Sequence, residues 1–207
     1  MNLKGVSEMI KIYDHPLSGN CYKVRLLMAQ SNVGFESEII DVFKGENKKD
    51  KYIKINPTSK IPAIDDDGLI IWESNAILLY LCEKYSPFFL PFDLIGRSNA
   101  YKWLFFNKTS LDPFLAKARA ILKFYPEGSQ DLDELAVLQN EGLKSLKIVE
   151  EHLEGKTFFV ENYSIVDIAF YPYIKLSHEG KIELSEFPNI VRWIKSVENT
   201  KNFISFS

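Results

Sequence analysis

The stretch MIKIYDHPLSGNCYKVRLLMAQSNVGFESEIIDV, residues 9–42, decides how the chain is read. Met9 to Tyr13 has the composition of a short strand, and His15-Pro16-Leu17-Ser18-Gly19-Asn20 is a loop rich in turn residues. From Cys21 onward the apolar positions Val24, Leu27 and Met28 recur at helical spacing, until Asn32-Val33-Gly34 ends the run. Phe35 to Val42 supplies a second strand. A strand, a helix and a strand in so few residues make a βαβ unit, which implies parallel pairing through a right-handed crossover.

Working outward, Ala63-Ile64-Asp65, the turn signal Asp66-Asp67-Gly68 and Leu69-Ile70-Ile71-Trp72 read as a β-hairpin. Ile77, Tyr80, Leu81 and Tyr85 then place an apolar stripe on a helix that the prolines between Ser86 and Pro91 terminate. Beyond Pro91 only helical periodicity appears. Tyr101, Leu104, Phe105 and Lys108 share a face, with a break at Pro113. Leu135, Leu138, Gly142, Leu146, Val149 and Leu153 trace another face over five turns, separated from the first by Pro126-Glu127-Gly128. Ser164 and Asp167 form a capping box in which Asp replaces the longer Glu or Gln, with Tyr163 placed to pack on Ile168. Pro188 opens a last helix with Ile190, Trp193, Ile194 and Val197 inward. The expected organisation is an α/β domain over residues 1–87, the first eight an N-terminal extension, and an all-helical domain over 92–207.

The 207 residues carry 25 Lys+Arg against 28 Asp+Glu, a net charge of −3, and 46% are apolar. This balance argues against nucleic acid as the main partner, because phosphate binding needs a basic surface. The basic run Lys44, Lys48, Lys49, Lys51 and Lys54 is interleaved with Glu46 and Asp50 and reads as a solvated face. The longest uncharged stretch, Leu26 to Phe35, is too short and polar for a membrane span, and no secretory h-region follows Lys4, so a cytoplasmic protein is expected. Two cysteines, Cys21 and Cys82, make no disulfide framework. His15, His152 and His178 lack metal spacing, so no metal is expected. Asp65, Asp66 and Asp67 are better explained by the hairpin turn than by calcium. No Walker loop, Rossmann fingerprint or G-x-S-x-G elbow is present.

The loop Ser18-Gly19-Asn20-Cys21 has the placement of a thioredoxin-like redox loop with serine at the first cysteine position. A serine there cannot be a redox centre, but at a helix N-terminus its hydroxyl can donate to an anion brought by a ligand.

With Ser18-x-x-Cys21-x-x-Val24-Arg25, Asn56-Pro57-x-x-Lys60-Ile61-Pro62, Glu73-Ser74 and Ser164-x-x-Asp167 in this order, the chain resembles the glutathione S-transferase family, nearest its bacterial and serine-using members. The resemblance implies a thioredoxin-like N-terminal domain (βαβαββα) with an all-α C-terminal domain, and glutathione as co-substrate. It makes Ser18 the catalytic residue acting on the glutathione thiol, with Asn20 as a second donor. Pro62 becomes a cis-proline that presents the Ile61 backbone to the cysteinyl part of the ligand. Glu73 takes the γ-glutamyl ammonium, Ser74 the γ-glutamyl carboxylate and Lys60 the glycyl carboxylate. Read alone, Glu73-Ser74 is better explained as a helix cap, a preference that the neighbouring Ile61-Pro62 motif reverses, and Cys21 is either a buried apolar side chain or a thiol open to mixed-disulfide chemistry. Tyr101, Phe105 and Lys108 are the candidate residues for a pocket holding a hydrophobic electrophile, and the family implies a homodimer engaged in detoxification. Two other readings remain open: a glutathione-dependent disulfide or peroxide reductase, and a non-catalytic binding protein on the same fold.

Overall fold

The computed structural model describes residues 9–206, so the N-terminal extension expected over residues 1–8 lies outside the described residues. The chain divides into two compact units, one running to Ser86 and including the C-terminal residues from Ile204, the other Pro87–Phe203.

The first unit holds a four-stranded sheet in the order β2-β1-β3-β4. Strand β1 (Ile10–Asp14) pairs in parallel with β2 (Phe35–Ile39), and helix α1 (Gly19–Gln30) makes the crossover. On its other side β1 pairs antiparallel with β3 (Ala63–Asp66), which forms the hairpin with β4 (Leu69–Trp72). The turn residues Asp67 and Gly68 both have positive φ, 54° and 85°, the type I′ geometry that suits the twist of a two-residue hairpin. Asp65 braces it by accepting the Gly68 N–H at 2.8 Å. Short helix α2 (Asp50–Ile53) lies in the connection, and α3 (Ser74–Tyr85) follows the hairpin and packs on α1. Ile10, Ile12, Val24, Leu27, Ile64, Ile77 and Leu78 are buried between sheet and helices.

Asp66 differs from its acidic neighbours in being buried. One of its oxygens accepts from Tyr80 Oη (2.7 Å), Lys84 Nζ (2.7 Å) and Tyr85 Oη (2.9 Å), which ties the hairpin to α3. The all-helical part ends at Phe203 rather than at residue 207. Tyr22, buried on α1, donates to the Ile204 carbonyl at 2.6 Å and its ring meets that of Phe206 at a tilt, centroids 5.3 Å apart, which holds the C-terminal tail on the first unit. The basic run is solvated as expected, with Lys44, Lys49 and Lys51 paired to Asp41, Glu46 and Glu38.

The regular elements of the second unit are helices: α4 (Leu94–Phe106), α5 (Asp112–Phe124), α6 (Leu132–His152), α7 (Ile165–Lys175) and α8 (Pro188–Glu198). The break before Pro113 is a π-helical turn, Asn107–Leu111, and Pro113 occupies the first turn of α5, where its missing N–H is tolerated. Buried Asn107 spans the irregularity, its Nδ2 donating to Asp112 (2.9 Å) and to the Ala169 carbonyl (3.3 Å). Tyr101, Leu104 and Phe105 lie within α4, with Leu104 buried and Phe105 72% exposed, whereas Lys108 falls in the π-helical turn.

The capping box at α7 forms as read: Ser164 Oγ accepts from the Val166 N–H at 3.2 Å, and Asp167 Oδ2 accepts the Ser164 N–H at 2.9 Å. Asp167 does more than cap. Its other oxygen accepts from the Phe159 N–H (3.1 Å) and from Trp193 Nε1 on α8 (2.8 Å), so one buried carboxylate joins a loop and two helices. Burial pushes this carboxyl up to about 6, and the four donor groups oppose that rise. Ser164→Ala should cost about 1 kcal/mol. Trp193→Phe, which leaves the buried acceptor one donor short, should cost about 1–3 kcal/mol in urea unfolding; a loss within the scatter of surface substitutions would remove weight from this bond.

His152, the last residue of α6, sits 4.2 Å from the Trp103 ring, with Nε2 at 2.8 Å from the Phe159 carbonyl and Nδ1 at 3.1 Å from Lys156 Nζ. An ammonium can only donate, so Nδ1 accepts and the proton resides on Nε2. Burial, with the Lys156 and Lys102 cations, holds its pKa below the ordinary histidine value. The unfolded chain therefore takes up this proton first, and the stability that neutral His152 contributes, complete above about pH 6.5, is lost as the pH falls. Denaturation midpoints at pH 7.5 and 5.5 should drop further for the wild type than for His152→Gln; equal drops would remove His152 from the acid response.

Candidate functional site

The sheet register gathers the candidate residues at one end of the first unit. Tyr13 on β1 lies opposite Ala63 on β3, and Ala63 lies opposite Trp72 on β4. The segment Ile61-Pro62, just before Ala63, is thereby placed between the turn that leaves β1 and the Glu73-Ser74 start of α3. A hydrogen bond from Ser74 Oγ to Asn20 Oδ1 at 3.0 Å joins the first turns of α1 and α3.

Ser18 is the N-cap of α1, with extended backbone (φ −86°, ψ 118°). Its Oγ accepts the Cys21 N–H at 3.2 Å and its own N–H donates to the His15 carbonyl at 3.0 Å. The hydroxyl oxygen thus satisfies the helix end and its proton can be given to a ligand. The preceding loop is braced: His15 Nδ1 accepts from the Leu17 N–H at 3.3 Å, and the His15 ring meets Phe43 edge-on at 5.3 Å. Arg25, two turns along α1, pairs with Asp14 and reaches the Pro16 carbonyl at 3.3 Å.

The Ile61–Pro62 peptide bond is cis. The Lys60 carbonyl before it is held from behind by Tyr52 Oη and by Asn56 Nδ2, each at 2.7 Å. Asn56 is buried, and its Oδ1 accepts from the Thr58 N–H and hydroxyl. Ile61 itself stands outside the β1–β3 ladder, and its N–H and C=O make no hydrogen bond among the described residues. Lys60 is exposed, Ile61 half-buried and Pro62 buried.

Glu73 adopts φ 71°, a left-handed conformation uncommon for a non-glycine residue, and gives α3 no side-chain cap. The simple helix-cap reading of Glu73-Ser74 therefore does not account for Glu73. Ser74 is buried, with its hydroxyl proton turned to Asn20.

Cys21 is fully buried, and burial pushes its thiol up, away from the thiolate form that exchange chemistry needs. Cys82 is buried as well. Among the described residues no group of three or more His, Cys, Asp or Glu could hold a metal, and no helix is long and apolar enough to cross a membrane. In the second unit, Tyr101 and Phe105 are carried by α4 and Lys108 by the π-helical turn. Sequence reasoning gave Arg25 and Asn56 no task, although both stand in the motifs quoted above, and it passed over Asp14 and Tyr52, whose neighbouring sequence carries no signal for their long-range partners.

The model of the glutathione S-transferase N-terminal domain matches residues 8–83 and that of the C-terminal domain residues 100–201. A crystal structure of a glutathione S-transferase from Pseudomonas fluorescens superposes with a TM-score of 0.91 at 32% identity, covering 96% of this chain and 99% of that one. A Burkholderia graminis glutathione transferase, solved with two glutathione molecules per subunit, matches with a TM-score of 0.84 at 26% identity over 94% of this chain and 85% of that one. A disulfide-bond oxidoreductase of Escherichia coli is 29% identical over 199 residues, which is 92% of this chain and 91% of that protein. A sheet that brings a capped serine, a cis-proline segment and a helix N-terminus together, and domain matches over both units, lead to one statement: the chain belongs to the glutathione S-transferase family.

Proposed function

We propose that this chain is a serine-type glutathione transferase, in which Ser18 stabilises the glutathione thiolate for attack on a hydrophobic electrophile. The observation that carries the reading is the open backbone of Ile61, flanked in register by the Ser18 turn and by Glu73-Ser74. A peptide ligand can pair with such a segment as a short added strand. In this reading Ile61 binds the cysteinyl backbone, Glu73 the γ-glutamyl ammonium and Lys60 the glycyl carboxylate. Ser74 acts at the γ-glutamyl carboxylate with the N–H groups of the first turn of α3, a helix end that favours anions. Pro62 shapes the segment, and Asn20, oriented by Ser74, is the second donor near the sulfur.

The energetics are adequate without a general base. A free thiol with a pKa of about 8.5 is only about 3% thiolate at pH 7, and lowering it by two units needs about 2.7 kcal/mol. A charge-assisted hydrogen bond supplies about 1.5–3 kcal/mol and a helix N-terminus about 0.3–1. Tyr101, Phe105 and Lys108 are the proposed contacts of the electrophile, and a cytoplasmic homodimer working in detoxification is the proposed setting.

The similarity to a disulfide-bond oxidoreductase favours one second reading, glutathione-dependent disulfide reduction. With both cysteines buried, two glutathione molecules would supply both exchanging sulfurs, leaving as glutathione disulfide while the substrate disulfide takes up two electrons and two protons. Parallel assays with an aryl halide and with a mixed disulfide separate the readings, and turnover of the disulfide alone would displace the transferase.

Ser18→Ala should lower turnover by roughly 10- to 150-fold at pH 6.5, the equivalent of one charge-assisted bond, with the KM for glutathione within about twofold. The inflection of the rate against pH should move toward the pKa of the free thiol. An unshifted inflection would take Ser18 out of the mechanism.

A further inference from the structure

We propose that Arg25 is a positioning residue for Ser18, its guanidinium holding the turn between β1 and α1 so that the serine hydroxyl keeps one orientation toward the ligand. This inference rests on the proposed role of Ser18. Side chains on a helix tilt toward its N-terminus, and Arg25 reaches back along α1 to the end of β1. One of its terminal nitrogens pairs with Asp14 Oδ1, and the other donates to the Pro16 carbonyl at 3.3 Å. Ser37 Oγ on β2 donates to the second Asp14 oxygen at 3.2 Å, so the carboxylate is held from the strand side as well. The pair is largely withdrawn from water, with side-chain exposures of 15% for Arg25 and 4% for Asp14.

The ion pair with Asp14 alone would join the strand to the helix. The second prong has a different target: a carbonyl two residues before Ser18, in a turn also braced by the short-range bonds of His15 and by its ring contact with Phe43. A displacement of about 1 Å at a reacting group can cost on the order of 100-fold in rate. The oxygen of Ser18 is already directed by the Cys21 N–H, so the position of the turn decides where its proton points. A guanidinium can serve two acceptors in one plane, whereas a lysine ammonium on its flexible stem can keep the charge pair with Asp14 but not the fork.

The test compares wild type, Arg25→Lys, Ser37→Ala and Ser18→Ala, using glutathione as the thiol and an aryl halide as the electrophile, and follows both the rate–pH profile and the ultraviolet absorbance of the bound thiolate. Arg25→Lys should raise the thiol inflection by about one pH unit, lower the rate at pH 6.5 about tenfold, restore it at high pH and leave the KM for glutathione within about twofold. Ser37→Ala, which loosens Asp14 without touching α1, should shift the inflection in the same direction by less. A purely structural Arg25 would lower the melting temperature and leave the inflection in place, which overturns the proposal. If Ser18→Ala moves the inflection and Arg25→Lys does not, only the positioning role falls; if neither moves it, the thiolate role of Ser18 falls and the positioning role with it.

Discussion

The register of β1 against β3 is the constraint on which the site depends. Because Tyr13 faces Ala63 and Ala63 faces Trp72, the residues that follow β1, precede β3 and follow β4 must meet at one end of the sheet. A slip of one residue would turn the side chains of β3 to the opposite faces and move Ile61 out of line with Ser18 and Glu73. That register is protected by the burial of Ile12 and Ile64 at the centre and by the type I′ turn at Asp67-Gly68, which sets the pairing of β3 with β4.

Around that end the chain sets neutral hydrogen-bonded groups and two helix starts. The N-terminus of α1 carries Ser18 and that of α3 carries Ser74, and the Asn20–Ser74 bond keeps the two starts together. Both present partial positive charge to the same region, the electrostatic requirement for an anionic ligand with a carboxylate at one end and a sulfur at the other. Arg25, beside the turn that leads to Ser18, is matched to Asp14.

What could be read from the sequence was set by short-range rules. The strand–loop–helix run from Met9, the hairpin turn at Asp67-Gly68, the box Ser164–Asp167 and the proline at the start of α8 each follow from neighbours within about four positions, and each appears in the structure. The partners of Asp167 across the chain, Phe159 and Trp193, are eight and 26 residues away and leave no periodic trace. The break after α4 was hidden for a related reason. A face drawn at α-helical spacing through Tyr101, Leu104, Phe105 and Lys108 presumes an unbroken helix, and the π-helical turn that begins at Asn107 takes Lys108 off that spacing. The segment Asn56–Pro62 lay between these cases: its motif was visible, but that Tyr52 and Asn56 both grip the Lys60 carbonyl was not.

The burial of Cys21 has a consequence for how this fold handles sulfur. In a redox loop the first cysteine is exposed and the second lies one helical turn below, within reach of the mixed disulfide. Here a half-buried serine stands at the first position, and Cys21, in the first turn of α1, is fully buried with its thiol pKa raised. Neither position can form a covalent bond to an incoming sulfur. In the proposed reading a thiol ligand is therefore held by hydrogen bonds alone, and the protein stays chemically unchanged whichever electrophile, carbon or sulfur, accepts the thiolate.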